Sequence, residues 1–152
     1  MEPEKVAKLR SLAERFKKLG CENPESWARS EVEEDIPQLA RFVFLRQLWG
    51  LVITPSRMRE LNNFSGPNDD GRGGALRRIK DCGVDNKDLL TIVREAQVSV
   101  IREVASILDE LYTLGPEFEG INWGLFEVDE EYRPTRPMDG LHESIDDTQP
   151  RS

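Results

Sequence analysis

Apolar residues recur along most of this chain at spacings of three and four, the signature of helices with one buried face. Val6, Leu9, Leu12, Phe16 and Leu19 mark a first amphipathic segment over residues 3–19, and Gly20 supplies its stop. Asn23-Pro24 gives an N-cap followed by proline at the first helical position. A short helix through Trp27 and Val32 follows and ends in Glu33-Glu34-Asp35. From Ile36 to Ile53 the apolar residues no longer keep to one stripe. Leu39, Ala40, Phe42, Val43, Phe44, Leu45, Leu48, Trp49, Leu51 and Val52 cover the whole circumference, interrupted only by Arg41, Arg46 and Gln47. With Asp35 as cap and Pro37 in the first turn, this predicts a helix over 36–53 that is buried on every side, by its own domain or by a second subunit.

Thr54-Pro55 repeats the cap-plus-proline signal and opens a brief helical stretch through Met58 and Leu61. Residues 62–74, with four glycines and a proline, form the clearest loop. A short helix from Ala75 to Cys82 closes at Gly83, and Asp85 to Asp88 resembles a capping box. The helix it opens is expected over 86–114, before Gly115-Pro116 stops it. One apolar band on it comprises Val93, Ala96, Val100, Val104, Ile107, Leu111 and Leu114; a second, Leu90, Val98, Ile101, Ala105, Leu108 and Tyr112, widens the arc. Glu95, Ser99, Arg102, Glu103, Ser106, Asp109, Glu110 and Thr113 make up the opposite, solvated face.

After Pro116 the helical period is lost. Ile121 to Val128 is rich in strand formers, Asp129-Glu130-Glu131 interrupts it, and a second extended piece over 135–142 is confined to an edge by Pro134 and Pro137. The expected fold is therefore mainly α. It is a single-domain helical bundle around two long helices, about 36–53 and 86–114, packed side by side, with a short extended or β-hairpin C-terminal arm. Residues 1–115 form the helical domain, 116–144 the arm packed on it, and 145–152 a disordered tail. Because the helix over 36–53 lacks a polar side, a homodimer is a secondary expectation.

Composition narrows the class. At 152 residues, 38% hydrophobic and 33% charged, the chain is expected to be a soluble globular protein. Its longest apolar run, Leu48 to Ile53, is far short of the ~20 residues of a membrane span. The N-terminal Met1-Glu2-Pro3-Glu4-Lys5 has no apolar signal region, which points to a cytoplasmic protein with no membrane partner. Charge sharpens this picture. The net −8 is concentrated at one end: residues 116–152 carry 10 acidic and 3 basic side chains, against 19 and 18 in residues 1–115. Such a chain is a poor binder of nucleic acid, which rewards phosphate neutralisation. Arg57, Arg59, Arg72, Arg77, Arg78 and Lys80 are the residues that reading would need.

The usual catalytic and phosphate-binding motifs are missing, and Cys21, Cys82 and the single His142 offer no metal-ligand spacing, so no metal or cofactor is expected. A reducing compartment favours Cys21 and Cys82 as free thiols, with a disulfide between them left open. A Ser-His-acid triad is available only through His142. The glycine-rich stretch before Arg77 and Arg78 offers, at most, a weak anion cradle.

Two sets of residues carry chemistry. Arg41, Arg46 and Gln47 on the first long helix, with Arg94 and Gln97 inside the apolar arc of the second, are polar groups on apolar faces. Each must meet a carboxylate, a carbonyl, water or a ligand. Together they are candidates for an Arg/Gln-lined cleft taking an anionic group; the competing structural reading has the stems lying along the core edge or pairing with acids such as Glu34 or Glu127. Trp123, Phe126, Tyr132, His142 and Glu143, aromatics and polar groups in an acidic arm, are candidates for docking a protein partner with basic character. The sequence leans toward a non-catalytic interaction module, an adaptor or an inhibitor, over a small enzyme or sensor for an anionic metabolite.

Overall fold

The computed structural model describes residues 2–63, 71–109 and 120–150. These residues fold into α1 (Pro3–Lys18), α2 (Pro24–Glu34), α3 (Gln38–Trp49), α4 (Pro55–Asn63), α5 (Arg72–Asp81), α6 (Asn86–Asp109), β1 (Phe126–Val128), β2 (Pro134–Pro137) and α7 (Leu141–Ser144), with a 3-10 turn at Asp146–Thr148. The fold is mainly helical, with one two-stranded antiparallel sheet. Residues 110–114 of the expected long helix and most of the glycine-rich loop lie outside the described residues. No described helix is long and apolar enough to cross a membrane. Contacts group the chain into two compact units, residues 1–49 with 102–152, and residues 50–101.

In the first unit α1 and α2 pack against each other around Leu12, Phe16, Ala28, Leu39 and Phe42. Phe16, Trp27 and Phe42 meet pairwise with ring centroids 5.4–5.9 Å apart, edge-on or tilted, as aromatic quadrupoles prefer. Gly20 ends α1 in the left-handed region (φ +74°), with the N–H of Gly20 on the carbonyl of Lys17 and that of Cys21 on Phe16. That pair of bonds is a Schellman cap, and it requires a residue free to take positive φ.

The helix expected over 36–53 is shorter, Gln38–Trp49. Proline at 37 and glycine at 50 bound it, since neither prolongs a helix well. Nor is it buried all round: Phe42, Leu45, Leu48 and Trp49 face the core, while Val43 and Gln47 are exposed. Asp35 does not cap it. Asp35 is the left-handed C-cap of α2 (φ 55°), and the buried Glu31 does the capping, its Oε2 accepting the Leu39 N–H at 2.8 Å.

Glu31 also anchors the arm. Arg136 on β2 donates to Glu127 at 2.8 Å, to Glu31 at 3.2 Å and to Asp35 at 3.4 Å. The hydrogen bonds to Glu127 and then Glu31 hold its proton well above the ordinary arginine range, against the pull of burial. The expected disordered tail is, over residues 145–150, a turn seated in the core. Ile145 is 2% exposed, Thr148 1%, and Trp49 donates its indole N–H to the Ile145 carbonyl at 2.8 Å. Composition hid this, because burial of Ile145 and Thr148 and one indole bond outweigh the flanking acids Asp146 and Asp147.

The second unit has a smaller core of Val52, Ile53, Met58, Leu76, Val98 and Ile101. Thr54 caps α4, its hydroxyl accepting the Arg57 N–H at 3.2 Å, and Asp85 caps α6 through the Lys87 N–H at 2.7 Å. Helix α5 begins at Arg72, three residues earlier than expected, with Gly73 and Gly74 buried in its first turn.

On α6 the two apolar bands exchange roles. Val98, Ile101 and Ala105 are buried, whereas Ala96, Val100 and Ile107 are exposed, Val100 to 60%. Asp109, expected on the solvated face, shares the buried stripe as i+4 from Ala105, and its side chain is only 5% exposed.

Candidate functional site

Arg41, His142 and Glu143 come together at one cavity of about 680 Å³, in the unit formed by residues 1–49 and 102–152. Helix α3 brings Arg41 and α7 brings His142 and Glu143. The end of α6 adds Asp109, and the α2–α3 corner adds Glu34 and Asp35. Asp139 and Gly140 complete the rim. Five carboxylates and one guanidinium thus line the cavity.

Arg41 donates Nη1–H to the Asp139 carbonyl and Nη2–H to Gln38 Oε1, each at 2.6 Å, and its guanidinium lies 5.5 Å from the Trp27 ring centroid. Its Nε is buried without a hydrogen-bond partner. Burial pushes its pKa below the ordinary arginine value, and the charges of Asp109, Glu143, Asp139 and Glu34 push back. Gly140, at φ +69°, runs so close to this group that a Cβ there would stand 2.7 Å from Nη1.

Asp109 Oδ2 accepts the backbone N–H of His142 at 2.8 Å and pairs with its ring Nδ1, also at 2.8 Å. A carboxylate at that distance favours the tautomer that carries its proton on Nδ1 and orients the ring. The other oxygen, Oδ1, is buried and unpartnered. Sequence reasoning missed Asp109, although its spacing from Ile101 and Ala105 carried the signal.

The remaining sequence candidates fall elsewhere. Arg46 lies over Phe42, with the guanidinium 5.5 Å from the ring centroid, and donates to the carbonyls of Leu19 at 2.9 Å, Gly20 at 3.3 Å and Thr148 at 3.3 Å. Gln47 lies exposed on α3, beside a groove it shares with Phe126 of β1. In the other unit Arg94 donates to the Ile53 carbonyl at 3.0 Å, and Gln97 Oε1 accepts the Ile53 N–H at 2.6 Å. These two side chains satisfy both backbone groups of one buried residue. Arg41 does not pair with Glu34 or Glu127; Glu127 serves Arg136.

In the arm, Trp123 donates its indole N–H to the Ile107 carbonyl at 2.9 Å, and Phe126 is largely exposed on β1. The hairpin turns through Asp129–Arg133. Asp129 Oδ1 accepts the N–H groups of Glu131 and Arg133, each at 3.0 Å, and Oδ2 accepts Arg133 Nε–H at 2.8 Å. The bond from the Arg133 backbone leads in holding the Asp129 carboxyl below its usual range. Tyr132 crowns the turn, 85% exposed and at φ +61°.

Among the described residues no group of three or more His, Cys, Asp or Glu side chains is placed to hold a metal ion. Comparison with protein-family models, curated proteins and solved structures finds no match to this chain.

Proposed function

We propose that this protein is a non-catalytic interaction module, an adaptor or inhibitor, whose acidic, aromatic-bearing C-terminal arm docks on a basic surface of a protein partner in the cytoplasm. The observation that carries this reading is Tyr132. A three-residue hairpin loop ending in a left-handed residue normally places glycine there. A β-carbon at positive φ costs about 1–2 kcal/mol, and an exposed ring recovers none of it by packing inside the chain. Strain kept at an exposed aromatic, on a turn braced by Asp129, suits an anchor held ready for another molecule. Glu130 and Glu131 beside it would steer a basic surface toward the tip.

The alternative, a small enzyme or sensor with an anion in an Arg/Gln-lined cleft, draws less support. Arg46 and Arg94 direct N–H groups at backbone carbonyls, and Arg41 lies among carboxylates that repel an anion.

Tyr132→Gly tests the proposal. Folding stability should stay level or rise by up to about 1 kcal/mol, because glycine takes positive φ without strain. Affinity capture from source-cell lysate should yield a salt-sensitive partner with the parent chain and lose it with Tyr132→Gly. Equal capture by both chains would remove the hairpin tip from the interface.

A further inference from the structure

We infer that the apolar groove between α3 and β1, continued along the end of α1, binds a short segment of another protein that is apolar on one face and acidic at one end. The inference stands on this groove and not on the hairpin tip. A hollow of about 610 Å³ is lined by Leu39, Val43 and Phe44 of α3 and by Phe126 and Val128 of β1. A second, of about 300 Å³, adjoins it through Arg15, Leu39 and Val43 and reaches Lys18 and Leu19 at the end of α1. Leu19, Val43, Phe126 and Val128 are each 38–47% exposed. Single apolar side chains in water are ordinary, but four along one groove form a patch of the kind that marks contact with another molecule.

Charge selects the occupant. The charged side chains that line the groove are Arg15, Lys18, Glu31 and Glu127. Both carboxylates are committed to Arg136, Glu127 at 2.8 Å and Glu31 at 3.2 Å, and Glu31 also caps α3. The side chains of Arg15 and Lys18 make no hydrogen bond or ion pair among the described residues. One end of an otherwise apolar groove therefore carries two uncompensated positive charges, in a chain whose net charge is −8. A segment with apolar anchors for the trough, and Asp or Glu over Arg15 and Lys18, meets both demands. A second copy of this chain fits less well, because two molecules of net charge −8 repel each other.

The test is selection of a phage-displayed library of random peptides, each about twelve residues or three helical turns long, on the immobilised full chain. Enriched sequences should combine apolar residues with Asp or Glu toward one end. Synthetic copies should shift the amides of residues 39–47 and 125–128 saturably. Val43→Glu should weaken their binding about 30-fold, the scale of an interface hot spot. Arg15→Ala with Lys18→Ala should weaken it about five-fold and remove most of its salt dependence. All three positions are exposed, so these variants should keep the parent amide spectrum. Tyr132→Gly should leave the affinity unchanged, which separates this groove from the arm's docking role. No enrichment, enrichment only of basic or Tyr132-dependent peptides, or parent affinity in Val43→Glu would overturn the inference. So would sedimentation of the parent chain as a dimer that Val43→Glu dissolves, which would give the groove to a second copy.

Discussion

Arg46 and Arg41 sit on the same helix, five positions apart, and both guanidinium groups lie 5.5 Å from an aromatic centroid. Arg46 closes a polar cluster: its N–H groups meet the carbonyls of Leu19 and Gly20 at the end of α1 and of Thr148 in the C-terminal turn. Arg41 leaves a cluster open, with its own Nε and the nearby Asp109 Oδ1 both buried and unpartnered. The same residue type thus does two jobs. Arg46 is tied by the chain's own carbonyls and serves the fold; at Arg41 demands of both signs remain unmet beside a cavity.

The closed kind of cluster has its strongest member in Glu31, which caps α3 and holds Arg136 while itself buried. Glu31→Ala should cost about 3–5 kcal/mol in urea unfolding, since it strands a buried N–H and part of an ion-pair network. A loss below about 1 kcal/mol would mean that closure adds little to stability, because that is the level of exposed pairs.

The two arginines give the direct contest. Arg46→Met should cost about 1.5–3 kcal/mol, the range for bonds to a charged group, with three carbonyls losing their donor. Arg41→Met should cost less than about 1 kcal/mol, because it also removes a half-buried cation with an unmet N–H. Comparable unfolding curves would erase the distinction, and the reverse order would invert it.

These contrasts also show how far the residues could be read in advance. Gly20, Thr54 and Asp85 spoke through local chemistry: a positive φ, a hydroxyl and a carboxylate, each within three positions of the group it serves. The apolar period announced that α6 exists, but not which band would be buried, since Val100 and Val98 are equally apolar and only tertiary packing chooses between them. Polar residues on apolar faces pointed to a need for partners, which Arg41, Arg46, Arg94 and Gln97 have, while Gln47 lies exposed. Their partners were not legible, because Arg46 meets Thr148 across 102 positions and Arg41 meets Asp139 across 98. Hydropathy places Asp109 in water, and only the i+4 relation to Ala105 hints otherwise. Ile145 was lost in a run of acids for the same reason: composition averages over a window, while burial is decided residue by residue.

The finest probe of closure is a thiol. Cys21 follows Gly20 in the cap that Arg46 clasps, and burial, as the leading cause, raises its pKa above the usual thiol range. The Asn23 backbone bond and then the Arg46 charge pull it down, and Glu22 and Glu25 push it up. Raised in the fold, the group adds stability that is fully present below the unfolded value, near ~8.5, and is lost as pH rises through the folded one. In a Cys82→Ser background, the midpoint of the pH–rate profile for alkylation of Cys21 should lie above that of a free thiol. Arg46→Met should move it higher still, since a nearby cation that favoured the thiolate is gone. The plateau rate at high pH reports access to the sulfur, so the midpoint isolates the charge. A midpoint unmoved by Arg46→Met would show that the guanidinium is not held over this cap in solution, and the closed cluster would lose the member that defines it.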